Sequence, residues 1–222
     1  MNRARVIAIT KPVATMIVPD ADALIPYCAR VSNPENQENH DTGPRLMHYC
    51  ARHKHWSVFE MVSVVLEIET TRDIGRQLLR HRSMHFQETS QRYSHVDDFV
   101  IRELRLQDTQ NRQASLPCDN PDWHKEWASD LEDLLEMVEQ LRDTWRERGV
   151  AKEVLRVMYP EGLTMSRLYI SATLRDLWHY CELRRGNGTQ PEHADLAEKI
   201  AAAVKREVPD AWGALEASRE VV

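Results

Sequence analysis

Between Met61 and Thr70 the chain alternates without a break, with Val62, Val64, Leu66 and Ile68 on one side and Ser63, Val65, Glu67 and Glu69 on the other. Successive side chains of an extended strand point to opposite faces, so this period of two specifies a strand with one covered face and one wet face. Such a strand needs partners in a sheet and a layer over its apolar side. Val6-Ile7-Ala8-Ile9 reads as a first strand. Arg3 and Arg5 precede it as they would in a secretory leader, but Lys11-Pro12 ends the apolar run too early for one.

The covering layer reads as helical. Leu24, Tyr27, Cys28 and Val31 recur at helical spacing over 22–31, until Ser32-Asn33-Pro34 stops them. A second helix begins near Pro44, carries Leu46, Tyr49 and Cys50, and ends near His53-Lys54-His55. Thr71 or Asp73 caps a short helix with Ile74 and Leu78 on its apolar side, which runs into Arg80-His81-Arg82. The longest pattern spans about 129–148. It opens with Ser129 and Glu132 as a capping box, turns Leu131, Leu134, Leu135, Val138, Leu141 and Trp145 inward as core, and stops at Gly149. Two more helices are expected, over 166–184 and 189–207, the latter opened by Thr189-x-Pro191-Glu192 and closed before Pro209. Breakers between Asp108 and Pro121 mark a loop. The expected fold is α+β, a single domain over residues 1–222 with a small, largely antiparallel twisted sheet packed by helices.

Charge bounds the function. A net charge of −6 argues against a protein that coats nucleic acid, since such domains carry a basic excess. No apolar run approaches the roughly 18–20 residues of a membrane span. Cys28, Cys50, Cys118 and Cys181 are scattered without a paired spacing, as buried thiols are in the reducing cytoplasm.

Against that acidic background, residues 72–92 hold Arg72, Arg76, Arg80, Arg82 and Arg92, with His81 and His85, interleaved with Gln77, Gln87, Glu88, Ser90 and Gln91. Guanidinium groups bind phosphate through two parallel hydrogen bonds, and neutral serine and glutamine set orientation, so the cluster reads as an anion site. The bland alternative is a solvated basic face paired with Glu67, Glu69 and Asp73. Two other readings compete. His48, His53, His55, His81 and His85 suggest a metal, although no His-Glu-x-x-His occurs. The arginines with Phe86 and Tyr93 suggest a nucleic-acid module, against which the net charge counts.

The order Arg80-His81-Arg82, seven residues, then Ser90 and Gln91-Arg92-Tyr93-Ser94, resembles the signature of the flavin-dependent thymidylate synthases. Ala29-Arg30-Val31-Ser32, His55-x-Ser57-x-Phe59-Glu60, Arg76-Gln77, Glu153-x-x-Arg156-x-x-x-Pro160, Leu174-Arg175-Asp176-Leu177 and Glu182-Leu183-Arg184 with Gln190 look like further family segments, covering roughly 28–207. The resemblance implies conversion of dUMP to dTMP, with 5,10-methylenetetrahydrofolate as carbon donor and FAD, reduced by NADPH, as hydride source. It implies FAD contacts at Ser57, Arg80, His81, Arg82, Glu88, Thr173, Arg175 and His179. It implies dUMP contacts at Gln77, Arg80, Glu88, Thr89, Ser90, Gln91, Arg92, Arg156 and Arg184, with Arg184 facing the uracil as the catalytic group. It further implies a homotetramer whose sites form between subunits. His85 and Gln87 stand where many members have serine and asparagine, and Thr173 and His179 where some have asparagine. Trp178 and Tyr180 read as core.

Overall fold

The computed structural model describes residues 2–95, 97–186 and 188–221. Four strands, β1 (Arg3–Ile9), β2 (Ser63–Thr71), β3 (His85–Glu88) and β6 (Met165–Thr173), form an antiparallel sheet in the order β1-β2-β6-β3. Its covered face is the one that the alternation specifies. Val64, Leu66 and Ile68 face Ala172, Ile170 and Leu168 across the ladder, and all six are buried. Full burial of such a side chain stabilises by about 1.5–3 kcal/mol, so this stripe fixes which face turns inward.

The helices that cover the sheet are α1 (Ala21–Ala29), α2 (Gly43–Arg52), α3 (Arg72–Leu78), α6 (Leu174–Arg184), α7 (Pro191–Glu207) and α8 (Pro209–Ala217). Ile25, Met47, Ile74, Leu78, Leu177, Leu196, Ile200, Val204 and Trp212 fill the space between the layers. A long helix, α4 (Pro121–Glu147), and a short turn of helix, α5 (Lys152–Leu155), follow a small hairpin of β4 (Arg105–Gln107) and β5 (Ser115–Pro117). No helix among the described residues is long and apolar enough to cross a membrane.

The wet face of the sheet changes the partners that the bland reading gave the arginine cluster. Glu67 accepts from Arg5 Nε at 2.7 Å and from Tyr169 Oη at 3.0 Å, Glu69 accepts from Arg167 Nη2 at 2.8 Å, and Asp73 is held by Arg102 at 2.7 Å. The acids assigned to that cluster are thus taken by cations from elsewhere in the chain, while Arg72, Arg76 and Arg92 pair with Glu88, Glu161 and Glu153, which leaves Arg80 and Arg82 without an ion pair among the described residues.

Four expectations about elements need correction. The helix expected over 166–184 is a strand to Thr173 and a helix only from Leu174. Ser166, Leu168, Ile170 and Ala172 are buried in alternation, and β2 supplies the ladder that decides the local choice. The long helix begins eight residues before Ser129, where the Asn120 side chain accepts from the Asp122 and Trp123 amides at 3.0 and 3.2 Å. Its apolar face is core only at Leu131 and Val138, while Leu134, Leu141 and Trp145 are 41, 43 and 41% exposed. The loop over 108–121 contains β5, and α7 starts after Gln190 with no side-chain cap from Thr189.

Candidate active site

Arg80-His81-Arg82 forms the tight turn between α3 and β3. The His81 amide donates to Leu78 O at 3.0 Å and the Met84 amide to His81 O at 3.1 Å, which pins the turn at its middle residue. Arg80 and Arg82 are exposed on either side, with no ion pair among the described residues. His81 points inward, half-buried, its ring edge-on to Tyr180 at 4.9 Å.

Arg184, the last residue of α6, donates from Nε to His81 Nε2 at 3.2 Å. A guanidinium only donates, so Nε2 must be the bare nitrogen and the His81 proton sits on Nδ1. Burial, then the Arg184 charge and His179, push the imidazole from its ordinary 6.5 down to about 4. The arginine assigned to the uracil and the histidine assigned to the flavin therefore form one contact, between a fixed cation and a neutral ring.

One turn back on α3, Gln77 donates from Nε2 to Gln190 Oε1 at 2.8 Å and meets His193 Nδ1 at 3.1 Å through Oε1. Tyr180 and His193 lie with ring centroids 5.7 Å apart. Gln77, His81, Arg184 and the start of α7 are thus one patch.

Arg175 and His179, on the exposed side of α6, line a groove of about 990 Å³ with Arg52, Lys54, Trp56 and Ser83. Ser57 is exposed in the 3₁₀ segment Trp56–Met61 behind it, where Glu60 pairs with Arg175. Thr173 is the N-cap of α6. Its hydroxyl accepts from the Asp176 amide at 3.2 Å and donates to Asp176 Oδ2 at 2.6 Å, a reciprocal cap that fixes where α6 begins and so where Arg175 and His179 point.

The other assigned residues gather at the far end of β3. Glu88 accepts from Ser166 Oγ at 2.8 Å and pairs with Arg72 at 3.0 Å. Thr89 and Gln91 line a smaller cleft of about 290 Å³ with Arg72, Ser94, His95 and Arg167. Ser90 caps its own turn, Oγ accepting from the Arg92 amide at 3.3 Å, and Arg92 Nε donates to Glu153 at 3.2 Å. Arg156 stands exposed after α5, with no ion pair among the described residues. Neither of the two clefts holds residues from both groups, so one chain does not gather all the assigned contacts in one cavity.

Sequence reasoning missed His193, Ser83, Arg52 and Lys54. For His193 a signal existed: it occupies the apolar stripe of α7 that continues through Leu196, Ile200 and Val204, where a buried polar group calls for a reason. Among the described residues no group of three or more His, Cys, Asp or Glu is placed to hold a metal. Of the clustered histidines, His53 instead stacks on Tyr49 at 4.1 Å.

Fold and site together define a mixed α and β protein that displays an arginine-rich turn beside a basic groove. The family described as thymidylate synthase complementing protein matches residues 13–210. A probable flavin-dependent thymidylate synthase of Paramecium bursaria Chlorella virus 1 is 46% identical, covering 96% of this chain and 98% of the relative. The flavin-dependent thymidylate synthase of Synechocystis is 41% identical over the same shares. The chain belongs to the flavin-dependent thymidylate synthases, a family of enzymes. In fold it is similar to a UMP/dUMP methylase, PolB from Streptomyces cacaoi, solved with 5-Br dUMP, with a TM-score of 0.82 at 22% identity over 98% of this chain and 95% of that one.

Proposed function

We propose that this protein is a cytoplasmic enzyme, one domain over residues 1–222, that methylates dUMP to dTMP. The observation that carries the reading is the hydrogen bond between Arg184 and a neutral His81. For C5 of a uracil to attack a one-carbon donor, the ring must become electron-rich, and loss of its N3 proton supplies that density. Arg184 is always charged and presents a planar fork, so it stabilises the uracil anion, and His81 holds that fork by its Nε2 lone pair without adding charge. Ser90, Arg92, Arg156, Thr89 and Gln91 bind the phosphate end, and Gln77 and Glu88 orient the nucleoside.

The basic groove fits FAD. Arg175, Arg52 and Lys54 suit its pyrophosphate, and Trp56 and His179 give flat faces for its rings; Ser57, Thr173, Arg80 and Arg82 are the further contacts proposed for it, Ser57 and Arg82 being chain neighbours of the groove residues Trp56 and Ser83. Bound there, FAD supplies the hydride that completes the methyl group, with NADPH as reductant and 5,10-methylenetetrahydrofolate as carbon donor. The four free cysteines fit a reducing compartment. A homotetramer is supported by the exposed apolar stripe of α4 and by the division of the assigned contacts between two clefts.

The test is direct. Purified protein is expected to take up FAD, showing the flavin's visible absorption, and to form dTMP from dUMP only when the folate donor and reductant are both present. Protein that stays colourless with added FAD and forms no dTMP would overturn the reading.

A further inference from the structure

A row of hydrogen bonds runs from the core to the surface beside Arg184. Gln190 Nε2 donates to Glu192 Oε2 at 3.1 Å, Gln77 Nε2 donates to Gln190 Oε1 at 2.8 Å, and Gln77 Oε1 lies 3.1 Å from His193 Nδ1. The direction of this row is not free. A carboxylate only accepts, so Gln190 must turn its NH₂ to Glu192 and its oxygen to Gln77. Gln77 must then give its NH₂ to Gln190 and keep its oxygen for the histidine, and the histidine must donate from Nδ1. Glu192 is kept a carboxylate by Arg105, whose Nη2 donates to Oε1 at 2.6 Å, and by Arg102 at 3.7 Å. Each link is set by the one before it.

His193 is fully buried, and its Nε2 has no protein hydrogen-bond partner; nor has the buried hydroxyl of Tyr180 beside it. A ring nitrogen in that setting is least costly as a bare lone pair rather than as an orphaned N–H. The Nδ1–H form that the row demands is therefore also the form that the burial favours. An apolar residue would satisfy the stripe through Leu196, Ile200 and Val204 better, and would lose only the donation to Gln77.

We propose that His193 is a positioning residue that holds the Gln77 side-chain amide by its oxygen, while Gln190 sets its flip, so that the remaining N–H is aimed at the bound nucleotide. The proposal rests on the reading of Gln77 as a dUMP contact, and the two can fail separately. Held only by Gln190, the amide is expected to swing about that contact and carry its free N–H off line, and nucleotide binding weakens while the flavin is untouched.

The experiment compares two polar replacements that mimic different nitrogens of the imidazole. In His193→Asn the amide nitrogen stands near Nδ1 and can still donate to Gln77; in His193→Gln it stands near Nε2 and cannot. With dUMP titrated against the FAD-loaded enzyme, His193→Asn is expected to stay within about twofold of wild type and His193→Gln to bind about five- to tenfold more weakly, the span that one lost hydrogen bond allows. FAD absorption should be equal in both. In a Gln77→Leu background the difference between the two replacements should vanish. Equal dUMP affinities for the two replacements, or a difference that persists without Gln77, would overturn the proposal. If Gln77→Leu alone leaves dUMP binding unchanged, the assignment of Gln77 to the nucleotide fails instead.

Discussion

At the scale of residues, Arg184 has two readings with different stakes. It closes α6, where a cation near the helix C-terminus is worth only about 0.3–1 kcal/mol. It also reaches His81, on another element 103 residues away in sequence, which a mere cap does not need to do. Arg184→Ala should leave the protein folded and flavin-bound yet lower turnover on the order of 10²–10³-fold, as loss of a preorganised charge-stabilising donor does. Lysine should rescue poorly, because a point charge lacks the Nε that engages His81. Steady-state dTMP formation decides between the readings, and near-normal turnover in folded Arg184→Ala would leave only the cap. The neutral histidines have a measurable cost as well. Burial and Arg184 hold both His81 and His193 near 4, His179 adding to the effect on His81, while Asp73 draws His193 weakly the other way. Unfolded, both bind protons near the ordinary 6.5, so between about 6.5 and 4 the unfolded chain holds more protons and stability falls as the pH falls. Urea midpoints across that window should drop less steeply for His193→Asn than for the parent, and parallel slopes would contradict the buried neutral state.

At the scale of elements, the sequence was legible wherever one period was carried by strongly apolar residues. The alternation of β2 specified strand, face and depth, and the short helix into Arg80-His81-Arg82 followed from Ile74 and Leu78. It was illegible where two periods overlap. Ile170, Leu174, Leu177 and Cys181 can be threaded onto a helix from 166 onward, and only the ladder to β2 makes the first half a strand. The arginine motif was readable as a row of residues. That His81 turns inward to Arg184, and Gln77 to His193, depends on packing that no spacing encodes. The long helix α4 shows a third limit, since its apolar stripe was taken for core although much of it is left only partly covered by its own chain. Leu134, Leu141 and Trp145 on that stripe, with Met137 at 60% exposure, are apolar surface that a monomer seldom leaves open. If this stripe packs against another copy, Leu134→Asp with Leu141→Asp should shift the light-scattering mass below that of a tetramer. An isolated chain should tolerate both changes, because exposed substitutions usually move stability by no more than about 0.5 kcal/mol. An unchanged mass with both aspartates in place would mean that the stripe faces water in the assembly.

At the scale of the whole molecule, the sheet sets one group of contacts at each end of β3. At its start the Arg80-His81-Arg82 turn meets Arg184 and Gln77, and beyond its end Thr89 and Gln91 line a different cleft, with Ser90 and Arg92 in the same stretch of chain and Arg92 paired to Glu153, three residues before the exposed Arg156. A nucleotide has a base at one end and a phosphate at the other, so a chain that separates the arginine proposed for the uracil from those proposed for the phosphate could complete a site by lending one group to a neighbour. On the proposal that subunits share sites, complementation is the test. Arg184→Ala and Arg156→Ala should each be inactive or nearly so as pure oligomers, the first lacking the group proposed to stabilise the uracil anion and the second a proposed phosphate contact. When the two are unfolded together and reassembled, some sites draw Arg156 from one variant and Arg184 from the other, and those sites are intact. Turnover in the mixture should then rise above that of either parent handled alone, and the rise should require reassembly, since merely combining preformed oligomers leaves every site defective. If sharing is the arrangement, the recovered sites should also bind dUMP with wild-type affinity, because each contains the full set of donors. A reassembled mixture with no more activity than its parents, and with mixed oligomers verified by mass, would place both arginines of one site on the same chain.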